Sequence, residues 1–169
     1  WVDILRGCAA LAILVWHYKH FYCAQAEAWC TLSPSFLLKD ETTQPFFSAL
    51  RLFYLHGAKA VDLFWVISGF VFAAIYTADT REIGARSFFV NRFARLYPLH
   101  FTTLIVVALL QAISVRLVGH DQIYIFNDAW RFVLHLFFAS NWGFVEGLSF
   151  NGPIWSVSVE VIVYFLFFT

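Results

Sequence analysis

The sequence predicts an all-α protein, a polytopic transmembrane helical bundle with four to five spans in the 169 residues given. Three observations predict it. Hydrophobic residues make up 61% of the chain and charged residues only 13%, and the mean hydropathy is +0.71, far from the mix of a soluble domain. Phe alone contributes 21 residues. The apolar residues also come in runs long enough to cross lipid, where a soluble domain would hide them in short periodic stripes. Formal net charge is zero, so neither a basic nucleic-acid surface nor an acidic tail is expected.

The first span is expected over Asp3–Phe21, and within it His17 follows Arg6 by eleven positions. At about 100° per residue that is roughly three turns plus ~20°, so both side chains share one helix face, ~16 Å apart along the axis. His17 then lies near mid-bilayer with Arg6 close to one surface. Ionisable groups inside a membrane are costly and by default mark a functional site. A long loop follows, with Pro34, Lys39, Asp40 and Glu41. Phe46–Leu55, behind Pro45, is too short to span and reads as an interfacial amphipathic helix.

The second span is expected over Gly57–Tyr76 and the third, the clearest, over Tyr97–Val118. The fourth, Ala129–Trp142, is short and holds Arg131 and His135, so it either crosses a thinned region or does not fully cross. The fifth begins at Pro153, whose missing N–H suits a first helical turn, and runs off the end. With no Met, Trp1 in first place and an apolar run Tyr164–Phe168 at the close, the chain is expected to be part of a longer one. The first apolar run ends in His17, Lys19 and His20 and lacks the small-residue pattern of a signal-peptide cleavage site.

Orientation follows from basic residues in short loops. Thr77–Leu96, read as a loop, carries Arg81, Arg86, Arg92 and Arg95 and should be cytoplasmic, which makes the N-terminus cytoplasmic too. The loop with Cys23 and Cys30 then faces outward, where the two could form a disulfide or remain two unpaired small residues. Cys8 reads as packing. The three cysteines fit no zinc or redox motif, and no metal is expected.

Arg92 and Arg95, at i and i+3, share a helix face just before the third span. Two guanidiniums there suit bidentate capture of phosphates, which Lys achieves less well; alone they also fit a positive-inside topology signal. Together with Arg86 and the intramembrane His17, they make a phosphate-bearing cytoplasmic ligand competitive. Ser156 and Glu160, i and i+4, put a hydroxyl and a carboxylate on one face of the fifth helix. A carboxylate buried there needs a cation or a hydrogen-bond donor, with His17 or an Arg as candidate partners, or else serves a helix–helix ion pair. Asp62 lies five residues into the second span, and Ser68 and Gly69 beyond it would let another helix approach closely. His100 and His135 read as satisfied polar helix residues, and His20, His56 and His120 as interfacial.

At this point the sequence resembles a family, the integral-membrane acyltransferases of the acyltransferase-three group. Four motifs carry the resemblance, in family order through nearly the whole length. They are Leu5-Arg6-Gly7 with His17, and Val61-Asp62-Leu63-Phe64-Trp65-Val66-Ile67-Ser68-Gly69-Phe70. Then come Arg92-Phe93-Ala94-Arg95-Leu96-Tyr97-Pro98 and Gly152-Pro153-Ile154-Trp155-Ser156-Val157-Ser158-Val159-Glu160. Trp65 stands where the family usually has Phe, and Val157 where Leu is common.

The resemblance implies a fold of roughly ten spans, of which residues 1–169 would be the N-terminal part of one acyltransferase domain. It implies a bacterial inner-membrane enzyme using cytoplasmic acyl-CoA, such as acetyl-CoA, with no permanently bound cofactor. The acceptor would be a hydroxyl of an extracytoplasmic carbohydrate or a similar compound. In that reading His17 is the general base, neutral because an apolar site disfavours its charged form. Glu160 orients His17 or stabilises its imidazolium, and Arg6 binds donor phosphate or polarises the site. Arg92, Arg95 and Arg86 meet the CoA phosphates, with Asp62, Ser68, Ser156 and Trp155 lining the site. Direct transfer and an acyl-histidine intermediate stay open.

Two other classes compete. His17, Asp62 and Glu160 would also suit the relay of a proton-coupled transporter, although broken helices in matching halves are not visible. A membrane haem protein with His17 and His100 as axial ligands would show a Soret band, and none is expected.

Overall fold

The computed structural model describes residues 1–18, 44–78, 84–122 and 124–167. Cys23, Cys30, Lys39, His20 and Arg81, with the expectations attached to them, lie outside the described residues. The chain divides into two compact units, Trp1–Glu82 and Ile83–Thr169. Among the described residues all regular structure is helical.

The first unit holds α1 (Val2–Tyr18), α2 (Phe47–His56) and α3 (Lys59–Ala78). Asp3 in the first turn of α1 complements the helix dipole, and His17 lies in its last turn. Before α2 the chain turns at Phe46, which takes a left-handed φ of 55°, so the helix starts at Phe47, one residue later than expected. The Tyr54 hydroxyl donates to the Pro45 carbonyl at 3.2 Å and ties the helix to its entry. The helix α1 packs on both α2 and α3. Small residues make that possible: Ala9 and Ala12 are buried, and Gly57 closes the α2–α3 corner beneath α1. A Cβ at Gly57 would stand 2.4 Å from the Trp16 Cβ and 2.7 Å from the Ala12 carbonyl oxygen.

The second unit is built on α4 (Ala85–Val118), 34 residues and ~51 Å long. The helix starts well before Tyr97, so Arg92 and Arg95 share a helix face as expected, and Arg86 is helical too rather than part of a loop. No Gly or Pro interrupts residues 85–97, and Phe88 and Phe89 give that stretch apolar partners in the last helix. Pro98 sits inside the helix, removing one ladder N–H. Thr102 and Thr103 hydroxyls donate to the Pro98 and Leu99 carbonyls at 2.8 and 3.0 Å. Among the described residues α4 is the one helix long and apolar enough to cross a membrane. Leu99, Val106, Leu110, Ile113 and Leu117 form an exposed stripe at three-, four- and seven-residue spacing. An apolar face of that length suits lipid or another helix, not water.

The helix α5 (Ala129–Leu136) has eight residues and is ~12 Å long. Asp128 caps it, accepting from the Arg131 N–H at 2.9 Å. The expected fourth span therefore does not cross a hydrocarbon layer of about 30 Å. It stops because Phe138 turns left-handed at φ 57° and His100 on α4 caps the end, its Nε2–H donating to the His135 carbonyl at 2.8 Å. Side chains then satisfy the irregular backbone, as an apolar setting demands. The Asn127 side-chain Oδ1 accepts from Phe150 N–H at 2.7 Å, and the buried Ser158 hydroxyl accepts from Asn141 N–H at 3.0 Å.

A 3₁₀ turn, Gly152–Ile154, leads into α6 (Trp155–Phe167). Gly152 is required by closeness: a Cβ there would lie 2.3 Å from the Tyr124 hydroxyl oxygen. The helix α6 runs antiparallel to α4. Asn151 Nδ2 donates to Thr103 Oγ1 at 2.8 Å before α6 begins, and the Phe88 and Tyr164 rings meet at 5.3 Å near its end.

Candidate functional site

In the first unit α1 is unbroken from Arg6 to His17, so the shared face stands on one rigid element. The His17 Nδ1 lies 2.8 Å from the Ile13 carbonyl oxygen. A carbonyl only accepts, so Nδ1 carries the proton, and in the neutral ring Nε2 carries the lone pair. Trp16 meets the imidazole edge-on at 4.7 Å. The Arg6 guanidinium carbon stands 6.0 Å from the centre of the Phe64 ring, at the outer limit of a cation–π contact. Asp62 is exposed in the first turn of α3, where its charge favours the helix N-terminus. Ser68 is half-buried, and Gly69 has nothing within 4 Å of its Cβ position. Among the described residues, the close helix approach expected at Gly69 occurs at Gly57 instead. Cys8 is exposed rather than packed.

In the second unit the structure gathers residues that the sequence presented separately. The Arg92 guanidinium carbon lies 5.5 Å from the Phe88 ring centre and 5.6 Å from that of Tyr164. Tyr164 is buried, and its hydroxyl donates to the Glu160 carboxylate one turn earlier on α6. Arg92, Tyr164 and Glu160 thus form one cluster across α4 and α6. Arg95 and Arg86 are exposed along α4. Arg92 and Tyr164 also line a cavity of about 770 Å³ whose other walls include Phe89, Tyr97, Phe138 and Trp142. That volume lies within the range of small-molecule sites. Ser156 does not meet Glu160: its hydroxyl donates to the Pro153 carbonyl at 3.3 Å. Trp155, half-buried, opens α6.

His100 and His135 form a second polar group in this unit. Both are buried, with rings 6.3 Å apart and nearly parallel, and Phe138 stacks on His100 at 4.5 Å. His100 uses Nε2 as the cap of α5, and His135 Nε2 lies 3.1 Å from the Ser149 hydroxyl. The expectation of satisfied polar residues therefore holds for one nitrogen of each; among the described residues neither Nδ1 has a protein partner. At the other end of α5, Asp128 is held below the usual carboxylate range. The Arg131 N–H bond is the largest cause, followed by the Arg131 side chain. Among the described residues no group of three His, Cys, Asp or Glu side chains could hold a metal ion.

Sequence reasoning missed Phe88, Tyr164 and Ser158. A signal existed for the first two, since Phe88–Arg92 and Glu160–Tyr164 are each i,i+4 pairs on a helix face. A protein-family model described as an acyltransferase domain matches residues 1–169. Neither curated proteins nor solved structures yield a significant match.

Proposed function

The chain belongs to the acyltransferase 3 family, and from that premise we propose an O-acyltransferase working across a membrane. It takes an acyl group, acetyl in the simplest case, from cytoplasmic acyl-CoA and passes it to a hydroxyl of an extracytoplasmic carbohydrate or similar acceptor. The membrane is the bacterial inner membrane, the N-terminus is cytoplasmic, and the whole domain has about ten spans. The apolar stripe of α4 and its arginine-bearing first turns support that placement.

His17 is the general base in this reading. Its Nε2 takes the proton of the acceptor hydroxyl as that oxygen bonds to the thioester carbonyl carbon; the C–S bond breaks and CoA leaves as its thiol after protonation. The observation that carries the proposal is the Nδ1–H bond to the Ile13 carbonyl, which sets the tautomer a base needs. Arg92 and Arg95 grip the CoA phosphates, with Arg86 adding positive charge and Arg6 acting on the donor from α1. Glu160 acts in the transfer step through its charge or hydrogen bonding, and Asp62, Ser68, Ser156 and Trp155 line the paths of the two substrates.

The test is acyl-CoA consumption by the full-length protein with candidate glycans. General-base catalysis is worth about 10²–10⁴ in rate, so His17→Ala should lose at least that while donor binding survives. His17→Asn should be nearly as poor, and the wild-type rate should fall as acid protonates the imidazole. A His17→Ala protein that acylates its acceptor at the wild-type rate would overturn the mechanism.

A further inference from the structure

Tyr164 is a large aromatic residue deep in an apolar helix, and as core packing alone it would need no hydroxyl. Its hydroxyl is nevertheless buried, and a buried phenol requires a hydrogen-bond partner. The partner here is a carboxylate, Glu160. Its ring meets a cation, Arg92, at 5.6 Å, within cation–π range. Phe88 stands edge-on to the same ring at 5.3 Å and shares the guanidinium at 5.5 Å. One side chain therefore touches two of the charged residues that the proposed reaction uses, Arg92 and Glu160, on two different helices. Arg92 and Tyr164 both line the 770 Å³ cavity, so the contact faces a space a ligand can occupy.

The chemistry of each contact says what it does. A ring contact of this kind is electrostatic and leaves the guanidinium its positive charge for a phosphate. The ring limits the rotamers of a long, flexible side chain before donor arrives, which lowers the entropic loss on binding. The phenol O–H fixes one carboxylate oxygen of Glu160 and so orients the other. We propose that Tyr164 is a positioning residue for the acyl transfer, holding Arg92 with its ring and Glu160 with its hydroxyl. The inference rests on the reading that Arg92 meets the acyl-CoA donor.

Two substitutions separate the two roles. Tyr164→Phe keeps the ring and removes the hydroxyl, whereas Tyr164→Leu removes both. The assay is steady-state acyl transfer from acetyl-CoA by the full-length protein in membranes, with donor KM and kcat resolved. Tyr164→Phe should leave donor KM within about twofold and lower kcat about 10- to 100-fold, the range of a hydrogen bond to a charged group. Placed on Glu160→Gln, it should add nothing further. Tyr164→Leu should also raise donor KM by about 2- to 30-fold, the range of a cation–π contact. That rise should vanish on an Arg92→Gln background.

A purely structural tyrosine predicts a different pattern: equal losses in every background, in step with the amount of folded protein. That pattern, or wild-type constants in both variants, overturns the inference. If Tyr164→Leu does not fold, Tyr164→Phe alone and on Glu160→Gln still decides, because it preserves the packing. Wild-type protein that neither binds nor consumes acetyl-CoA overturns the donor reading and this inference with it. Wild-type turnover with unaltered variants overturns the inference alone.

Discussion

Gly57→Ala should lose activity well beyond what its loss of stability explains. At φ −60° and ψ −25° the glycine already holds a backbone conformation that Ala adopts freely, so the effect is purely steric. The added Cβ would lie 2.4 Å from the Trp16 Cβ and 2.7 Å from the Ala12 carbonyl oxygen, against 3.4 Å for ordinary contact. The Phe53 carbonyl oxygen, at 2.6 Å, is a third obstacle, and none of the three can rotate aside, since one is a Cβ and two are backbone. The helix α1 must therefore withdraw from the α2–α3 corner by something near the shortfall, about 1 Å at Trp16. Overpacking of this kind typically costs about 1–3 kcal/mol. His17 is the next residue, and a misplacement of about 1 Å in an active site can lose about 10²-fold in rate. Thermal unfolding and acyl-CoA turnover of the full-length protein measure the two effects. Gly69→Ala is the control, because its Cβ meets nothing within 4 Å and Ala is the better helix residue. A Gly57→Ala protein that melts and turns over like wild type, or a Gly69→Ala protein that is the worse of the two, would refute the packing argument.

Two further outcomes follow from the second unit. Replacing Arg92 and Arg95 together with Gln should weaken acyl-CoA binding in a direct titration while the protein remains inserted. Lys at both positions should restore charge but not full affinity, and unchanged binding in the Gln pair would reduce them to topology signals. Asp128→Ala removes the cap of α5 and should lower the thermal midpoint by about 2–4 °C. Because the folded carboxyl is held below its ordinary value, its stabilisation is complete above about pH 4 and is lost as pH falls through the lowered folded value. An acid melting profile identical in wild type and variant would count against the cap.

The helices were legible where apolar runs are long, and the departures share one physical cause. The basic stretch Thr77–Leu96 suggested a loop with only its last turn, Arg92 and Arg95, helical, yet α4 already begins at Ala85 and includes Arg86. Charge marks the depth at which a helix leaves lipid, whereas Gly and Pro mark where backbone hydrogen bonding stops, and residues 85–97 contain neither. The reverse holds at Ala129–Trp142, which does not fully cross, one of its two expected outcomes: hydrophobicity persists to Trp142, but the helix ends at Leu136, with His100 from another helix supplying the cap.

The site divides in the same way. Arg6 and His17 were readable as one face because both lie on α1, and a helix has a fixed period. Arg92 and Glu160 were each singled out, but their connection was not, since it depends on the antiparallel register that places Phe88 beside Tyr164. Register between helices is set by tertiary packing, with Asn151 on Thr103 towards the other end of the pair. A tyrosine one turn beyond a glutamate is an ordinary helix neighbour in sequence. Only that register puts a guanidinium on its ring, and with it a single phenol links a cation on one helix to a carboxylate on the next.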